Sequence, residues 1–153
     1  MTSSPGVPVH GKPPEQAANR LVLLDEPFEL KDLTALRQAV AAHAGRTRLP
    51  PERVADLVLI ASELASNSVR HGGGHGRLRL WTTDTAACCE VADDGPGLPP
   101  TYEFPEQSPD LATAGGRGLW LVLCFSDAIT VEHTGERGVA ITATINLPPP
   151  DTT

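Results

Sequence analysis

Three short constellations in this 153-residue chain carry side chains suited to chemistry. The first is Glu63 with Asn67 and, one turn further on, His71. Spacings of four put all three on neighbouring turns of one helix face. A carboxylate beside an amide offers hard oxygen ligands to Mg²⁺, which usually keeps several waters and shares a substrate's phosphates. The same carboxylate can orient or deprotonate an attacking hydroxyl. Taken alone, such a pair is more often a solvated surface face.

The second is Asp93-Asp94-Gly95-Pro96-Gly97, which follows a strand-like run. Glycines there permit a tight turn and close backbone approach of a ligand. A carboxylate at the strand end can accept a hydrogen bond from an exocyclic amino group. The plain alternative is a connecting turn. The third is Gly115-Gly116-Arg117-Gly118-Leu119, between a loop and an apolar helix. Unpaired N–H groups at such a helix start suit phosphate, and Arg117 adds a charge. A flexible helix entry is the alternative. Two other matches fail. Gly6 to Lys12 fits GxxxxGK, but Pro8 interrupts it, Pro13 follows it, and no strand precedes it. His71 and His75 are separated by glycines that break the helix, which argues against zinc.

The elements that must position these residues follow from periodicity. Residues 20–27 read as a first strand and 29–45 as an amphipathic helix through Leu30, Leu33, Leu36, Val40 and Ala44. Pro51 opens a second helix over 51–71, ended by Gly72-Gly73-Gly74. Its stripe is Val54, Leu57, Val58, Ala61, Leu64, Ala65 and Ser68. Leu59 and Ile60 flank Glu63 and Asn67 on a second face, so the helix is apolar on more than one side. Strands are expected at 77–83 and 86–92, joined at Asp84-Thr85. After a Pro-rich acidic loop over 98–114, a third helix precedes strands at 128–133 and 138–147. The order β-α-α-β-β-loop-α-β-β describes an α+β two-layer sandwich, a mixed, mostly antiparallel sheet with helices on one face. Segments 1–19 and 149–153 read as disordered tails around one domain, 20–148.

The formal net charge of −7 argues against nucleic acid and anionic membranes as partners. No apolar run nears the roughly 20 residues of a membrane span, and the N-terminus lacks the pattern of a signal peptide. Cys88, Cys89 and Cys124 are an odd number, two of them adjacent, which fits reduced cytosolic thiols.

Taken in order, the three constellations resemble the Bergerat-fold ATPases, the superfamily of gyrase, heat-shock chaperone ATPases, sensor histidine kinases and mismatch-repair ATPases. Glu63 to Gly72 resembles the N-box, Val91 to Gly97 the first glycine box, Gly116 to Leu121 the second, and Gly138 to Pro148 the terminal strand. With no phosphoacceptor helix pair and no transducer domain, the chain is similar to the stand-alone anti-sigma factor serine kinases. That resemblance implies a cytoplasmic homodimer that binds a sigma factor and uses ATP and Mg²⁺ to phosphorylate an anti-sigma factor antagonist. Its alternatives are a non-catalytic ATP-binding anti-sigma module and a simple ATPase. The resemblance implies that Glu63 activates the hydroxyl and Asn67 holds Mg²⁺. It implies that Asp93 meets the adenine amino group, with Gly95 and Gly97 admitting the base. It assigns cofactor binding also to Arg70, His71, Gly115, Gly116, Arg117, Gly118 and Leu119, and makes 98–114 the lid. One departure stands out: the family often has Gly-Thr where this chain has Gly138-Val139, with Thr142 and Thr144 as the nearby hydroxyls.

Overall fold

The computed structural model describes residues 7–10, 20–95, 116–133 and 138–149, with 7–10 and 116–117 described by their backbone alone. Six strands form one sheet: β1 (Val7–His10), β2 (Leu21–Glu29), β3 (His75–Thr82), β4 (Ala86–Asp93), β5 (Ala128–His133) and β6 (Val139–Asn146). Their order is β1-β5-β6-β4-β3-β2, and each neighbouring pair is antiparallel. Three helices, α1 (Leu33–Ala44), α2 (Pro51–His71) and α3 (Gly116–Phe125), complete the α+β fold.

The core lies between the helix layer and one face of the sheet. Leu57, Ile60, Leu64 and Ala65 of α2 meet Leu78, Leu80, Cys89 and Val91 of β3 and β4, and Val122 of α3 closes the layer. The helix α2 is central. It packs on α1, α3 and three strands, so it needs more than one apolar face. Ile60, expected on the second face, is fully buried, whereas Val54 and Val58 of the expected stripe are half-buried.

Several boundaries differ from the sequence reading. Four residues of the expected N-terminal tail, Val7–His10, pair with β5 as an edge strand, with a register shift between Pro8 and His10. A short Pro-containing strand is tolerated at an edge, where a missing N–H breaks no inner ladder. For the same reason β2, the other edge, continues through Pro27 to Glu29. A single 3₁₀ turn, Leu30–Asp32, precedes α1, and Asp32 Oδ2 accepts a hydrogen bond from the Glu29 N–H at 2.9 Å. Helix α2 has the expected ends, with Pro51 in its first turn and positive φ at Gly73 and Gly74 just beyond it. The expected lid over 98–114 lies outside the described residues.

Two features invite measurement. Arg53, near the start of α2, donates to Asp56 Oδ2 at 2.7 Å, to the Phe125 carbonyl at 3.2 Å and to Asp127 Oδ2 at 3.0 Å. Asp127 Oδ2 also accepts from the Asn146 N–H. This half-buried clamp ties α2 to the exit of α3 and to β6. Arg53→Met, which keeps the apolar stem, should lower unfolding free energy by about 1–2 kcal/mol in urea titrations at unchanged m-value. A change within about 0.3 kcal/mol would remove the clamp from the fold's energetics. The cysteines should separate by reactivity. Burial pushes the Cys88 thiol up and the Cys89 thiol up to about 12, while Cys124 is exposed. Iodoacetamide at pH 8 should label Cys124 in the native protein and spare the other two. Labelling of Cys88 or Cys89 before unfolding would contradict this packing.

Candidate functional site

The C-terminal half of α2, the end of β4 and the first turn of α3 converge. Asp93 is the last residue of β4 and is half-buried. Its Oδ2 accepts a hydrogen bond from Ser68 Oγ at 2.8 Å, and its Oδ1 accepts one from the Gly95 N–H at 3.0 Å. Two donors therefore hold the carboxylate, one from α2 and one from the turn after β4.

Glycine allows this approach. A Cβ on Gly95 would lie 2.5 Å from the Cα and carbonyl carbon of Gly72, and a Cβ on Gly72 would collide with the Asp93 carboxylate. The helix end and the strand end thus meet backbone to backbone. Gly72, read from sequence as a helix terminator, is also a packing requirement of the site.

One turn back on α2, Glu63 and Asn67 are both half-buried. Among the described residues, neither has a hydrogen-bond or ion-pair partner. Across from Glu63 stands Gly118, in the first turn of α3, where a Cβ would lie 2.5 Å from Glu63 Oε2. Gly118 belongs to the first turn of α3, and the first N–H groups of a helix have no intrahelical partner and suit anionic oxygen. A cavity of 660 Å³ opens there, lined by Leu30, Leu33, Glu63, Ser66, Val69, Arg70, Gly118 and Leu121.

Helical geometry sorts these residues. At about 100° per residue, Asn67 lies about 40° to one side of Glu63 and Ser68 about 140° on that side, while Ser66 lies about 60° to the other. Glu63 therefore divides a side that leads through Asn67 to Asp93 from a side that leads into the cavity.

The remaining expected residues are placed as follows. Arg70 is exposed, with Nε donating to the Ser66 carbonyl at 3.4 Å, and His71, the last residue of α2, is exposed. Gly116 and Arg117 open α3. Leu119 is 2% exposed and sits in the core, so only its backbone is left to face a ligand. Gly97 and Gly115 lie outside the described residues. Ser66 and Ser68 went unremarked in the sequence as site residues. For Ser68 a signal exists, a hydroxyl within an otherwise apolar stripe that must find a partner when buried.

No group of three or more His, Cys, Asp or Glu suited to a metal occurs among the described residues. Glu63 and Asn67 supply two oxygen-bearing side chains one turn apart. That donor set is too small for a metal cage, yet it suits Mg²⁺ shared with phosphate oxygens and water.

The family model described as histidine kinase-like ATPase domain matches residues 27–145, a stretch that contains α1, α2, β3, β4, α3, β5 and nearly all of β6. None of the curated proteins matches the chain. No helix among the described residues is long and apolar enough to cross a membrane.

Two glycine substitutions should separate stability from site geometry. Gly95→Ala presses a methyl group against the Gly72 backbone, which cannot yield cheaply. Gly118→Ala presses only on the end of the Glu63 side chain, which can swing away. Thermal melting should show Gly95→Ala losing several degrees and Gly118→Ala remaining near the parent. Equal losses in the two variants would contradict the close approach of α2 and β4.

Proposed function

We propose, from the premise that the chain belongs to the histidine kinase-like ATPase domain family and so binds ATP, that it is a protein serine/threonine kinase of the anti-sigma factor type. In this reading it phosphorylates an anti-sigma factor antagonist, sequesters a sigma factor and works as a cytoplasmic homodimer. The observation that carries the transfer step is the position of Glu63 between the Asn67–Asp93 side and the cavity. A protein that only bound nucleotide would need no carboxylate facing this cavity.

The chain's own groups then have definable tasks. Asp93 accepts from the adenine amino group. The first turn of α3 would meet the phosphates, with Arg117 supplying positive charge. Asn67, with Glu63 beside it, would hold Mg²⁺, which would supply neutralisation of phosphate charge. A serine hydroxyl of the acceptor enters from the cavity side. Glu63 takes its proton as the hydroxyl oxygen bonds the γ-phosphorus and the bond from that phosphorus to the β–γ bridging oxygen breaks. ADP departs, and Glu63 returns the proton to solvent.

A second reading, ATP-dependent binding without transfer, draws on Val139. It pairs with Asp93 across the β4–β6 ladder and offers no hydroxyl there. Thr142 and Thr144 do not replace it. Their ladder partners are Glu90 and Cys88, and Thr142 Oγ1 lies 3.3 Å from Glu90 Oε2. These positions alternate to the sheet face opposite the one Asp93 occupies.

The test is transfer of label from γ-labelled ATP to a candidate anti-sigma factor antagonist protein. Glu63→Gln should retain ATP affinity and lose about 10²–10⁴ in transfer rate. Parental transfer by this variant would remove Glu63 from the chemistry. Release of inorganic phosphate with no labelled acceptor would identify a simple ATPase. Asn67→Ala should abolish the Mg²⁺ dependence of ATP binding in calorimetric titrations with and without the metal.

A further inference from the structure

Ser68 is 2% exposed, on the sheet-facing side of α2. A hydroxyl so placed in a helix usually bonds back to its own helix or finds a tertiary partner. Here it donates to Asp93 Oδ2 at 2.8 Å. Three glycines on three segments surround that bond. Gly72 at the end of α2 and Gly95 after β4 bring the backbones together. Gly76 on β3 leaves the hydroxyl its room: a Cβ there would lie 2.8 Å from Ser68 Oγ and 2.7 Å from the Phe28 ring. Side chains on neighbouring elements are thus cut back around one hydrogen bond.

The chemistry of the bond is directional. A carboxylate is an acceptor alone, with about four lone-pair positions over two oxygens. Ser68 takes one position on Oδ2 and the Gly95 N–H takes one on Oδ1. The carboxylate is fixed in plane and in orientation, and its remaining positions can meet only a donor. A purine with a 6-amino group supplies one. A purine with a 6-oxo group presents an acceptor and is repelled.

We propose that Ser68 is the positioning residue that sets nucleobase selectivity, by holding Asp93 in the orientation that accepts from a 6-amino purine. The role rests on the reading of Asp93 as the group that meets the base. Without the hydroxyl, the Asp93 carboxylate can turn about its terminal bond or take up water, and its preference for a donor loses its aim.

The experiment is calorimetric titration of the full chain with ATP and with inosine triphosphate, both with Mg²⁺. The parent should bind ATP far more tightly than inosine triphosphate. Ser68→Ala should weaken ATP binding about tenfold and leave inosine triphosphate nearly unchanged, so the ratio narrows. Ser68→Cys, similar in shape with a weak S–H donor, should fall between. With Asp93→Asn already present, Ser68→Ala should narrow the ratio no further. If ATP and inosine triphosphate weaken together in Ser68→Ala, the hydroxyl is structural only and the proposal fails. A parent that discriminates beside a Ser68→Ala variant that discriminates equally also overturns the role of Ser68 and leaves that of Asp93 standing. A parent that binds the two nucleotides equally overturns the reading of Asp93 and the role of Ser68 with it.

Discussion

The close approach of the end of α2 to the end of β4 governs the site. Two glycines, Gly72 and Gly95, let these backbones meet where any Cβ would hold them apart. Without that contact Ser68 could not reach Asp93. Glycine carries an entropic cost of roughly 0.5–1 kcal/mol relative to alanine in regular structure, accepted here in return for contact. The 21-residue α2 acts as a bar fastened at both ends. Arg53 anchors its start to the α3 exit and the β5 entry, and Gly72 seats its finish on the turn after β4. Glu63, Asn67, Ser68 and Arg70 thus share one helix held at both ends. In the proposed transfer reaction, where positioning supplies much of the rate, a fixed arrangement of these side chains would serve the chemistry.

The sheet answers its two faces with different chemistry. Toward the helices it is aliphatic. On the other side, charged and hydroxyl groups pair across strands. Arg77 donates to Asp25 at 2.6 Å, and that bond holds the Asp25 carboxyl below its usual range. Arg79 approaches both Asp25 and Glu90 at 3.8 Å. Trp81 lies on this side with the Arg20 guanidinium 3.8 Å from its ring centroid, above Ala86 and Cys88. Cross-strand pairs of this kind contribute modestly each.

Much of this was legible in the residues, for physical reasons that differ by element. Pro51 and the run Gly72-Gly73-Gly74 mark the ends of α2 because each has a backbone preference that continuing the helix does not share. Alternating or continuous apolar runs marked β3 and β4, and Asp84-Thr85 their hairpin. Val7–His10 was hidden because four residues including a proline carry too little pattern, and what makes them a strand is the free edge of β5. The convergence of Glu63 with Gly118 and of Ser68 with Asp93 was hidden for another reason. Pairs 55 and 25 positions apart leave no local periodicity. The motif order made a shared site the natural expectation, but the particular hydroxyl and the glycines that make room for it appear only with the fold.

Register adds a last constraint. Asp93 and Val139 are partners at the end of the β4–β6 ladder, and alternation sends Val139 to the same face as the carboxylate. Val139 is 5% exposed, so the surface it gives to that corner is apolar and small. Thr142 and Thr144 alternate away, where one meets Glu90 and the other lies beside Cys88. Among the described residues at this corner, then, hydrogen-bonding capacity concentrates on the Asp93 carboxylate, held by Ser68 and Gly95, against an aliphatic neighbour. A single aimed acceptor beside an apolar wall discriminates well, because a mismatched group faces repulsion with no alternative polar partner to receive it. With valine at this position, the ladder partner of Asp93 adds no hydroxyl, so in the proposed nucleotide reading recognition of the base falls to Asp93 and depends on how that one side chain is oriented.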